Sequence, residues 1–156
     1  MMTLLPLAPE RASRLVSAFS KTHVLVIGDA MLDTFLVGRV TRISPEAPVP
    51  VIAFEQQTHR IGGAANVAHN ITALGGHASL IGVIGQDDNG KALTRGCREA
   101  GIEAGFLAAD SDRVTTTKVR IVTERNQQVA RVDYESDTDI SGDAEQGIIA
   151  SIHQNG

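Results

Sequence analysis

The chain has no tryptophan, one tyrosine, four phenylalanines and one cysteine among 156 residues. So few aromatics leave no platform for stacked bases, and a net charge of −4 offers no basic surface for a phosphate backbone. Nucleic acid is therefore not an expected partner. Cys97 stands alone, so there is neither a disulfide framework nor a pair of thiolates for a metal, and a reducing cytoplasm is the expected setting. In the amphipathic stretch after Asn89-Gly90 it reads as a small packed hydrophobe.

The histidines, His23, His59, His69, His77 and His153, share no ligand spacing with one another or with Cys97, and no metal site is expected. No apolar run is long enough to span a bilayer, and Met1 to Pro9, with two prolines and no early positive charge, lacks the character of a secretory signal. Asp87-Asp88-Asn89-Gly90 fails as a calcium loop, because counting back from Gly90 puts Gly85 where the first acid belongs. Acids favouring a helix dipole explain it better. Neither Gly-x-x-x-x-Gly-Lys-Ser/Thr nor a Gly-x-Gly-x-x-Gly after the first strand occurs.

What is present alternates between strand and helix. A leading helix is expected around Glu10 to Ser20, with Leu15, Val16 and Phe19 on one apolar face. His23 to Ile27 and His77 to Ile84 read as buried strands, and Ala64 to Leu74 and Gly90 to Ala100 as helices closed by Gly75 and Gly101. Such an order predicts an α/β fold on a parallel sheet with right-handed crossovers. Two segments differ in character. Pro48 to Phe54 is a proline-flanked strand, and Val114 to Thr123 pairs with Gln127 to Tyr134 across Glu124-Arg125-Asn126, which predicts a small second sheet.

The segment Arg60-Ile61-Gly62-Gly63-Ala64-Ala65-Asn66-Val67-Ala68 carries the chemistry. Two glycines let the backbone turn tightly and approach a ligand, and the helix that follows presents free N–H groups to a polar group. Close helix–sheet packing is the alternative. Upstream, Gly28-Asp29-Ala30-Met31-Leu32-Asp33 puts two carboxylates after the first strand, where α/β sheets bind ligands. Two acceptors at different angles suit a polyol, although Asp29 and Asp33 could instead cap turns. Lys118 and Arg120, two apart, project on one strand face and Val119 and Ile121 on the other. With Arg60, and with Arg131 from the returning strand, they suit an anionic ligand; a solvated face that discourages edge pairing is the other reading.

The run Gly62-Gly63, Asn66, Ala68, Gly75 and Gly85 resembles, at each spacing, the N-terminal signature of the PfkB (ribokinase-like) carbohydrate kinases. Together with Gly28 to Asp33 and Arg42-Ile43-Ser44-Pro45-Glu46-Ala47-Pro48-Val49-Pro50-Val51, it is similar to the kinase half of the bifunctional heptose 7-phosphate kinase/heptose 1-phosphate adenylyltransferases. The resemblance implies the N-terminal half, residues 1–156, of a ribokinase-like kinase domain whose lid strands lie near 35–54 and 114–134. It implies ATP-dependent phosphorylation of D-glycero-D-manno-heptose 7-phosphate at its anomeric oxygen, toward lipopolysaccharide cores, with Mg-ATP as co-substrate and lid-to-lid dimers. Asp33 and Asn66 would hold sugar hydroxyls, assisted by Asp29, and Gly62 and Gly63 would admit the ligand. Arg60, Lys118, Arg120 and Arg131 would face its phosphate.

The family's Gly-Ala-Gly-Asp motif, which supplies the base and the anion hole, does not occur here; the two Gly-Asp pairs are Gly28-Asp29 and Gly142-Asp143. No catalytic residue and no nucleotide site is therefore expected in this chain, and no kinase activity from it alone. A catalytically inert sugar-phosphate-binding or dimerising module, or a related kinase for another sugar, are the alternatives.

Overall fold

In the computed structural model, which describes residues 7–155, the apolar runs form a parallel three-stranded sheet, β1 (His23–Ile27), β4 (His77–Gly85) and β5 (Glu103–Asp110), in the order β1-β4-β5. Helices α2 (Ala64–Ala73) and α3 (Asp88–Glu99) make the two crossovers. Their small and apolar faces, Ala65, Ala68, Leu93 and Cys97, close on Val26, Leu80, Ile84 and Ile102 to make the core. A final helix, α4 (Gly142–Asn155), lies against β4 and β5.

A second sheet, ordered β3-β2-β6-β7, stands beside the first: β2 (Ala30–Ile43), β3 (Pro50–Gly63), β6 (Thr117–Thr123) and β7 (Gln128–Tyr134). β2 runs antiparallel to β3 and parallel to β6, and β7 returns antiparallel to β6. Its back face carries Leu32, Thr34 and Ile61, and it rests on α3 where Gly96 leaves room for the Ile61 side chain.

The structure departs from the expected elements in three places. The segment after β1 does not stop in a turn at Asp33: Ala30, Leu32 and Thr34 are buried at period two, so the chain continues as one 14-residue strand. β5 has no counterpart in the sequence reading. Its Glu-Ala-Gly-Phe-Leu-Ala-Ala-Asp lacks the β-branched residues that mark strands, and it is held by pairing with β4. The hairpin's first strand begins at Thr117 rather than Val114, since Thr115 is drawn away to Asp87.

The leading helix is α1 (Pro9–Ser17), continued by a short 3₁₀ turn at Phe19–Lys21, but its expected apolar face is exposed among the described residues. Leu15 is 50% and Val16 62% exposed, and no residue of the helix is buried. No helix among the described residues is long and apolar enough to cross a membrane.

Candidate functional site

Residues paired across a sheet share a face. Register therefore collects Gly62, Met31, Asp33, Arg60, Phe35, Lys118, Arg120, Arg131 and Asp133 on the front of the second sheet, opposite the face that rests on α3. Asp33 lies beside Arg60 of β3 and Lys118 of β6, and Phe35 lies beside Arg120. Arg120 in turn lies beside Arg131. A sequence separation of 87 residues brings the half-buried Asp33 carboxylate into an ion pair with the Arg120 guanidinium.

Phe35 organises the cations. The Arg60 guanidinium carbon is 5.1 Å and that of Arg120 5.4 Å from its ring centroid, both within cation–π range. Lys118 Nζ sits 3.2 Å from Asp133 and 3.7 Å from Glu135, and Arg131 Nε is 2.9 Å from Asp133 Oδ1. Burial would raise the Asp133 carboxyl, but its hydrogen bond from Lys118 and the charge of Arg131 outweigh that and hold it below the ordinary carboxylate range. Among the described residues, Arg60 alone of these four cations forms no ion pair.

The glycine pair serves this face directly. A Cβ at Gly62 would stand 2.7 Å from Asp33 Oδ2 and 2.9 Å from Met31 Cγ. Gly63 has φ 55°, and a side chain there would run into the Asp29 carbonyl, which accepts from Ala64 N–H at 2.8 Å. Asp29 thus ties the end of β1 to the start of α2 through its backbone, and its carboxylate is exposed. Asn66, exposed in the first turn of α2, does not share the front face. It lines a cleft of about 880 Å³ along the β3 edge, between α2 and α3, with His59, Arg60, Asn70 and Arg95. Arg60 borders both surfaces.

Two features were beyond the sequence reading. Phe35 and Asp133 each follow a recognised site residue at period two; strand assignment through residues 30–43 would have exposed Phe35, and alternation along the strand expected at Gln127 to Tyr134 already put Asp133 on the face of Arg131. The other is a knot at the root of β6. Asp87 caps α3 by accepting from Gly90 N–H at 2.7 Å, and also accepts from Thr115 N–H at 2.9 Å and Thr115 Oγ1 at 2.7 Å. Thr115 Oγ1 accepts from Gly85 N–H at 2.9 Å. Burial raises the Asp87 carboxyl, yet the bonds from Thr115 and Gly90 together depress it.

The front face can accept hydrogen bonds from hydroxyls at Asp33 and neutralise an anion at Arg60 and Arg120. It offers no cluster of three or more metal-ligating side chains among the described residues.

The description pfkB family carbohydrate kinase matches residues 21–149. The bifunctional protein HldE of Shewanella amazonensis (strain ATCC BAA-1098 / SB2B) is 54% identical over 118 residues, which cover 76% of this chain and 24% of that protein. The chain thus spans about a quarter of the length of this relative. Among solved structures, the ribokinase from Cryptococcus neoformans var. grubii serotype A in complex with ADP is 25% identical with a TM-score of 0.53, over 77% of this chain and 38% of its own. The Arabidopsis thaliana ribokinase complexed with ribose and ATP superposes with a TM-score of 0.59 at 17% identity, over 80% and 41% of the two chains. The two sheets and their helices are the α/β ribokinase-like fold.

Proposed function

Because the chain belongs to the pfkB family of carbohydrate kinases, we propose that it is the sugar-holding half of an ATP-dependent kinase acting on D-glycero-D-manno-heptose 7-phosphate at the anomeric oxygen. The observation that carries this reading is the gathering of Arg60, Lys118, Arg120 and Arg131 on the face that presents Asp33. A neutral sugar needs acceptors and donors but no such density of cations; a sugar phosphate needs both.

In this reading Asp33 accepts from a sugar hydroxyl, Gly62 keeps the space beside that carboxylate open, and Arg60, Lys118, Arg120 and Arg131 neutralise the phosphate the substrate already carries. Asn66 holds a second hydroxyl at the mouth of the β3 cleft, and Asp29 assists from the end of β1. Mg-ATP supplies the transferred phosphoryl group from residues outside this chain, so the work done here is positioning. The exposed apolar side chains of the second sheet, among them Val40, Ile43, Phe54 and Tyr134, make it a surface for a second copy of the chain.

Calorimetric titration of the chain with heptose 7-phosphate and with the unphosphorylated heptose tests this. The phosphate ester should bind more tightly, and without turnover when Mg-ATP is added; equal affinity, or turnover by this chain alone, overturns the proposal.

A further inference from the structure

The hollow left by the glycine pair is already filled. Met31 faces Gly62 across β2 and β3, and its side chain lies along both glycines: a Cβ at Gly62 would meet Met31 Cγ at 2.9 Å, and one at Gly63 would meet Met31 Cε at 2.9 Å. The thioether thus occupies the ground that two missing side chains vacate. Core packing does not call for it. Ala30, Leu32 and Thr34 are buried on the other face of β2, whereas Met31 is half-buried on the front and takes no part in the core cluster. Strand positions of this kind favour β-branched or aromatic residues; an unbranched side chain with three rotatable bonds is the one that withdraws most readily. The facing wall of the hollow is polar. Arg120 takes up Asp33 Oδ1, while Oδ2, 2.7 Å from where the Gly62 Cβ would stand, accepts no hydrogen bond among the described residues.

Resting on the sugar-phosphate reading above, we propose that Met31 is a retractable plug. It fills the glycine hollow in the free chain and swings out when a sugar arrives; the sugar's carbons take the place of the thioether while one hydroxyl donates to Asp33 Oδ2. Arg120 stays on Oδ1 throughout. Residue 31 then sets the strength of sugar binding, because only the fraction of molecules with the plug withdrawn is competent to bind. The step involves no anion, so the plug answers to the sugar and not to its phosphate.

Met31 can be watched directly, because the chain's other methionines are only Met1 and Met2. In NMR spectra of the full chain with isotope-labelled methionine methyl groups, the Met31 signal is the one lost in Met31→Ala. Unphosphorylated heptose and heptose 7-phosphate should each move it, and inorganic phosphate should leave it in place. Calorimetry on the native chain, Met31→Ala and Met31→Ile, each checked for a cooperative circular-dichroism melt, supplies the second readout. Met31→Ala, with the hollow empty, should bind both sugars about threefold or more tightly than the native chain, a gain that loss of structure would not produce. Met31→Ile, whose branch fixes χ1 and holds the hollow filled, should bind them more weakly by about the same factor. A Met31 signal unmoved by bound sugar, or a Met31→Ala chain that binds sugar no more tightly than the native one, overturns the plug. Equal affinity for heptose and heptose 7-phosphate, with the gain in Met31→Ala present, would instead overturn the phosphate-ester reading and leave the plug standing. Binding of neither sugar by the native chain or by Met31→Ala overturns both.

Discussion

Gly62 shows how much one missing methyl group decides at the residue scale. With Asp33 Oδ2 only 2.7 Å from where a Cβ would stand, Gly62→Ala must push the carboxylate off its position. Ligand affinity should fall about tenfold or more, as for removal of a charge-assisted hydrogen bond worth roughly 1.5–3 kcal/mol, while the fold persists. Asp33→Ala should lose a similar amount; unchanged heptose 7-phosphate binding in both variants would make Asp33 a purely structural residue. Cys97 belongs to the same scale. Burial pushes its thiol up to about 11, so it stays protonated near neutrality and out of reach on the buried face of α3. A thiol reagent at pH 8 should label it only on unfolding, and rapid labelling of the native chain would contradict the packing described.

At the scale of elements, the junction between the two sheets depends on Asp87. Its carboxylate joins the N-terminus of α3 to the residues that lead into β6, and β6 carries Lys118 and Arg120. Asp87→Ala removes a helix cap and leaves the Thr115 N–H without its acceptor, which should cost roughly 2–3 kcal/mol. Since the folded carboxyl lies below its ordinary value of 3.8, its contribution is fully present above that value and fades as pH falls through the lower folded one. Urea melts should therefore show native and Asp87→Asn stabilities converging as pH drops from about 5 toward 2. A constant difference across that range would mean that charge on Asp87 is irrelevant to the knot.

For the whole molecule, the second sheet exposes Val40, Ile43, Val49, Phe54, Val129, Val132 and Tyr134 on or beside its strands. Such an area favours association, and two edge strands, β3 and β7, lie beside it. Size-exclusion chromatography with light scattering should give twice the 16.5 kDa of a single chain or more, and Phe54→Asp should shift the population toward the monomer. A monodisperse monomer with a sharp melt would remove pairing through this sheet.

What the sequence determined by itself was whatever depends on neighbours along the chain. The runs at His23–Ile27 and His77–Gly85, the glycine pair opening α2, and the alternation that puts Lys118 and Arg120 on one side of β6 all follow from local geometry. So does burial of Cys97 on the amphipathic face of α3. Tertiary structure decided the rest. β5 becomes a strand because β4 offers it an edge, and α1, amphipathic in sequence, has no buried residue among those described. Asp33 could be read from sequence as a turn cap; in space it is a strand residue whose partner, Arg120, lies 87 positions away. Spacing along a chain carries no record of which strands will lie side by side. The site is a product of register between β2, β3 and β6, and register is set when the back face of their sheet closes on α3.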